Sequence, residues 1–145
     1  VIHARTAIRQ ALVAALAAGG TAAGARVFDT PSDTRTAFPS LTVEDAGEYQ
    51  QATTLPGGPG RTIERRFRVQ VSAELHQAAN YAADRDSLIA DVEVIAVNAV
   101  LPGVKSIVPA GYQPDLSIGE RPIAVGRQLF EVTYYTTQGA PSTTT

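Results

Sequence analysis

Polar and apolar residues alternate most cleanly in Arg61–His76, which reads RTIERRFRVQVSAELH. Ile63, Phe67, Val69, Val71, Ala73 and Leu75 occupy the odd positions, with Arg65 the one interruption. The even positions, Thr62 to His76, are all polar. Successive strand side chains point to opposite faces, so this is a long strand with one buried face and one polar face. A slip of one residue would expose every apolar group, which fixes its register.

Elsewhere the period changes. Ile8, Leu12, Ala15 and Leu16 recur at helical spacing, predicting a helix over His3–Ala18 that stops at Gly19-Gly20. Leu88, Val92, Ile95, Ala96 and Ala99 form a second helical stripe, predicting a helix over Tyr81–Val100 ended by Pro102-Gly103. Val92–Val97 is also good strand material, because β-branched residues are weak helix formers.

Arg26–Thr30 and Ser40–Asp45 read as short strands, separated by the turn sequence Pro31-Ser32-Asp33, with Pro39 at the start of the second. Val104–Pro109 and Asp115–Gly119 read as two short strands or one interrupted strand, and Glu120-Arg121-Pro122 as a turn. Ile123–Thr137 is a final long strand with Phe130, Val132 and Tyr134 on one face and Gly126 marking a bulge. Ala46–Gly60, with Gly57, Gly58, Gly60, Pro56 and Pro59, reads as an irregular loop, and Gln77–Asn80 as a turn. The expected fold is α+β: a mainly antiparallel β-sheet of four to five strands with two helices packed on one face. Residues 1–138 form the expected single domain and 139–145 a flexible tail.

Composition narrows function by exclusion. The 145 residues are 44% hydrophobic and 18% charged, as in an ordinary globular protein. A formal net charge of −2 argues against a main task of gripping nucleic acid. With no cysteine there is no disulfide, thiol nucleophile or thiolate metal site. No run approaches the roughly 20 apolar residues of a membrane span, and Arg5, Arg9 and Gln10 interrupt Ile2–Leu16 as a signal-peptide core.

Candidate chemistry is sparse. His3 reads as a surface or capping residue and His76 as a surface residue; neither has a metal-ligand motif around it. Asp84 and Asp86 are two apart on a helix and do not face each other. Ser32, Ser72, Ser87 and Ser106 lack a nucleophile-elbow context. The glycines of Ala46–Gly60 precede a strand, with no Lys-Ser or Lys-Thr, which disfavours a phosphate loop. No catalytic, metal or cofactor site is therefore expected.

Charge patterning is more informative. Arg61, Arg65, Arg66 and Arg68 surround Glu64 in a basic stripe, while Asp84, Asp86, Asp91 and Glu93 make the second helix acidic. A basic stripe on one subunit can meet an acidic surface on its neighbour and set their orientation. Arg61, Arg66, Arg68, Asp84 and Asp91 are the interface candidates on these elements, and Glu48, Tyr49 and Gln50 those in the expected loop.

The succession IRQALVAALAA, RVFDT, FPSLTVEDAGE, IERRFRVQVSAEL, the acidic Asp84–Asp91 helix and GRQLFEVTYYTTQGAP resembles the tail terminators, minor tail proteins of long-tailed bacteriophages that include the lambda-type terminator. The resemblance covers residues 2–141 in element order. It implies a structural virion protein at the tail–head junction, assembled in the bacterial host cytoplasm: a hexameric ring that caps the tail tube, ends its polymerisation and joins the head connector. Implied partners are further copies of the chain, the tail-tube protein, the head–tail connector protein and DNA in transit through the lumen, with no membrane and no cofactor. A tail-tube or head-completion protein is the nearest alternative. A non-viral binding module or a small hydrolase is the alternative of another class.

Overall fold

The computed structural model describes residues 2–29, 37–53, 61–76, 80–117 and 123–144. Its elements are α1 (Ala4–Ala18), β1 (Val27–Phe28), β2 (Ser40–Ala52), β3 (Thr62–His76), α2 (Tyr81–Asn98), β4 (Val104–Ser117), β5 (Ile123–Thr137) and β6 (Ala140–Thr144). The sheet runs β1-β2-β3-β5-β4, with β6 paired to the end of β5. All ladders are antiparallel except β1 on β2. This is the expected α+β architecture with a six-stranded sheet.

The alternation in β3 determines the layers. Phe67, Val69, Val71 and Ala73 are fully buried and meet β5 through Phe130 and Val132, which are buried too. Ile8, Leu12 and Leu16 of α1 and Leu88, Val92 and Ala96 of α2 close the same core from the helix side. Each such large aliphatic side chain contributes about 2 kcal/mol relative to exposure. The stripe on α2 resolves the helix-or-strand ambiguity of Val92–Val97: Val92 and Ala96 are buried, whereas Val94 and Val97 face solvent. The opposite face of the sheet carries Tyr49, Arg66, Arg68 and Glu131, and no helix covers it among the described residues.

Several boundaries differ from expectation. β2 continues to Ala52 where a loop from Ala46 was expected. A bulge lets it do so: Asp45 lies opposite Val69 and Glu48 opposite Phe67, so three steps on β2 match two on β3. Gly47 sits there at φ +106, and its N–H donates to the Asp45 carboxylate at 2.8 Å. The extra residue exchanges the faces, so Glu48, Gln50 and Ala52 follow Leu41 and Val43 on the helix side. Polar residues at those positions hid the strand.

Gly126 marks no bulge, since its pairing with Ala73 and Pro114 is continuous. It makes room for α2: a Cβ there would lie 3.1 Å from Cγ of Arg85 and 3.2 Å from Cγ1 of Ile89. β4 is one strand with register shifts between Val104 and Ser106 and between Pro109 and Gly111. At the second, the Gln128 side chain turns into the sheet and donates to the Gly111 carbonyl at 3.0 Å. Residues 140–144, expected in a flexible tail, form β6 against β5. The Pro31-Ser32-Asp33 and Glu120-Arg121-Pro122 turns, Gln77–Ala79, and 54–60 of the expected loop lie outside the described residues.

Candidate protein–protein interface

The sequence-derived candidates separate into two groups. The first gathers around Glu48, which points inward because of the bulge; its side chain is 3% exposed. Its Oε2 accepts from Arg5 of α1 at 2.7 Å, from Arg65 of β3 at 3.1 Å and from Gln50 of β2 at 2.7 Å. Its Oε1 accepts from the hydroxyl of Tyr134 on β5. Arg65 also donates through Nε to Thr136 at 2.7 Å. One carboxylate thus joins a helix and three strands.

Glu48 and Gln50 were expected to project from a loop as contact residues. The structure corrects the loop, since both lie on β2: the Glu48 carboxylate is committed to this network, while Gln50 donates to it through Nε2 and stays exposed. Arg65, Arg5, Tyr134 and Thr136 were not foreseen as its members. The available signal was Arg65 itself, a cation at an apolar position of β3, because a buried charge requires a counter-charge.

The network shifts its members' titration in a consistent direction. Burial pushes the Glu48 carboxyl up, but hydrogen bonds from Tyr134 and Gln50 and the nearby Arg5 charge outweigh it, and the net pKa is lowered. Burial, then the hydrogen bond to Glu48, pushes the Tyr134 phenol up. His3 caps α1 by accepting the Arg5 backbone N–H at Nδ1, 3.0 Å away. Burial and the Arg5 and Arg65 cations lower its pKa, with Glu48 and Asp45 opposing them.

The second group lies on the surface. Tyr49 is 59% exposed on the outer sheet face and stands opposite Arg66. Tyr49, Arg66 and Arg68 share one depression of about 490 Å³ with Glu131. Arg66 donates to Glu64 at 2.7 Å, which raises its pKa, and Arg68 lies 3.9 Å from Glu131. Arg61 sits apart, lining another depression with Gln138 and Arg65. On the helix side, Asp84 and Asp91 flank an apolar slot of about 340 Å³. Both aspartates belong to one stripe of α2 with Ser87 and Leu88. Among the described residues no three His, Cys, Asp or Glu side chains are grouped to hold a metal ion.

Comparison with known proteins gives no matching family model and no matching curated protein. Among solved structures, the chain shares its fold with a chain from the virion of a native gene transfer agent (GTA) particle. The TM-score is 0.51 at 18% sequence identity, and the match covers 90% of this chain and 93% of that one.

Proposed function

We propose that this chain is a structural virion protein with the role of a tail terminator, forming a hexameric ring that caps the tail tube and joins it to the head connector. The observation that carries this reading is the correspondence, over nearly the full length of both chains, with the fold of a GTA virion chain. Two features support it. The clustered charges around Glu48 hold elements together, an architectural role. The outer sheet face and the acidic stripe of α2 leave Tyr49, Arg66, Arg68, Asp84 and Asp91 available for contacts between proteins. Its place in this reading is the tail–head junction, with DNA passing through the ring and no reaction catalysed.

Electron microscopy of particles assembled with and without the chain tests the proposal. Over-long tails lacking heads are expected in its absence. Tails of normal length joined to heads would reject it, and long tubes formed by the chain alone would reassign it as a tube subunit.

A further inference from the structure

The slot beside α2 and the patch on the outer sheet face carry opposite charges, and the patch holds an exposed aromatic side chain that an apolar slot can receive. Phe38, Leu75 and Leu88 give the slot an apolar lining, and Asp84 and Asp91 stand at its margin. Seven residues apart on a helix, the two carboxylates are separated by roughly 10 Å along the axis. The patch presents Tyr49, a large exposed aromatic, beside Arg66 and Arg68, whose positions on one strand face are about 7 Å apart. Long arginine side chains easily span the difference. Tyrosine and arginine are also the residue types that most often anchor protein interfaces.

We propose that the occupant of the slot is a second copy of this chain: Tyr49 enters over Leu88 and Leu75, and Arg66 and Arg68 pair with Asp84 and Asp91. The in-face bonds of the two arginines do not prevent this. Arg66 uses one N–H of its guanidinium on Glu64, and such a group has five. Arg68 is held loosely, at 3.9 Å from Glu131, with its side chain 60% exposed. The patch lies on the outer sheet face and the slot on the helix side, so the contact is heterologous. Each copy gives a patch to one neighbour and a slot to the other, an arrangement that propagates until it closes. The contact deepens the ring reading above and rests on it for its biological setting.

The absence of native cysteine makes a direct test possible. Gln51 lines the patch and Ser87 the slot, and neither is one of the anchors. In the Gln51→Cys/Ser87→Cys variant, a short bismaleimide is expected to produce a ladder of covalent multiples on a denaturing gel, whereas either single variant gives none. Adding Arg66→Glu/Arg68→Glu, or separately Asp84→Arg/Asp91→Arg, should abolish the ladder, weakening self-association by about tenfold or more. An equimolar mixture of these two charge variants should restore it, which misfolded chains could not do. A ladder that survives either charge reversal, a mixture that fails to restore it, or no ladder from the double-cysteine chain at any concentration overturns the contact. The same charge variants distinguish the two proposals in assembled particles. A ladder lost on charge reversal, together with normal tails on removal of the chain, rejects the terminator role and keeps the contact. An unaffected ladder with over-long tails on removal of the chain rejects the contact and keeps the role.

Discussion

At the scale of single residues, Glu48 governs more of the molecule than any group on its surface. Replacing it by Gln removes the charge that compensates Arg5 and Arg65 and leaves Arg65 buried without its counter-ion. Breaking a buried pair in this way costs about 3–5 kcal/mol. Chemical denaturation of Glu48→Gln should show a loss in that range, and an Arg65→Met/Glu48→Gln double variant should lose clearly less than the sum of the single changes. Acid should act in the same direction. Glu48 and His3 both have lowered pKa values in the folded chain, so the unfolded chain binds protons more readily. Their contribution is fully present above the unfolded values, near 6.5 for His3 and 4.5 for Glu48, and is lost as pH falls through the lower folded values. Thermal melts from pH 7 to pH 3 should show a falling Tm, with a shallower fall in Glu48→Gln. Arg65 was visible in the sequence as a break in alternation. Its partner was not, because the residue that faces it depends on a register that no local pattern in β2 reveals.

Among the elements, legibility followed burial on one side. β3, β5 and both helices each bury one stripe against a single core, so their periodicity was plain from Phe67, Phe130, Ile8 and Leu88. β6 is a short polar strand held by pairing with β5, and the sequence of such a strand does not differ from that of a tail. The second half of β2 was obscured because Glu48 and Gln50 take inward positions for the network. Two glycines test how elements are seated. Gly126→Val would push against Ile89 and the stem of Arg85, and overpacking of this kind costs about 1–3 kcal/mol. Gly47→Val would place a β-branched residue at φ +106, a strain of about 1–3 kcal/mol. Denaturant midpoints should fall in both, and a Gly47→Val chain whose midpoint is unchanged would show that the bulge has a relaxed alternative.

For the whole molecule, the two faces of the sheet have different tasks. The helix side carries the core and the Glu48 network, so changes at those buried residues should be read as stability, apart from the exposed slot margin at Asp84 and Asp91. The outer face carries Tyr49, Arg66 and Arg68, where changes should leave the melting temperature within about a degree or two while altering assembly. Tyr49→Ala is the simplest comparison: calorimetry should give a near-native Tm, and light scattering should show a smaller mean mass. A matching fall in both would place Tyr49 in the fold instead. The candidate surface was half legible in advance. Charge patterning and the alternation of β3 found the arginines and aspartates and put Arg66 and Arg68 on one face, but that Tyr49 joins Arg66 while Glu48 turns away followed from the bulge.

That bulge also predicts how the chain tolerates changes in length. β2 spends one residue more than β3 between Asp45–Val69 and Glu48–Phe67. Deleting Ala46 would therefore leave an unbroken ladder in which Glu48 still meets Phe67 and Tyr49 still faces outward. Deleting Tyr49 would instead turn Gln50 and Ala52 to the outside and leave the arginines without their aromatic neighbour. Two losses of equal size, three positions apart, should differ as a silent change differs from a frameshift.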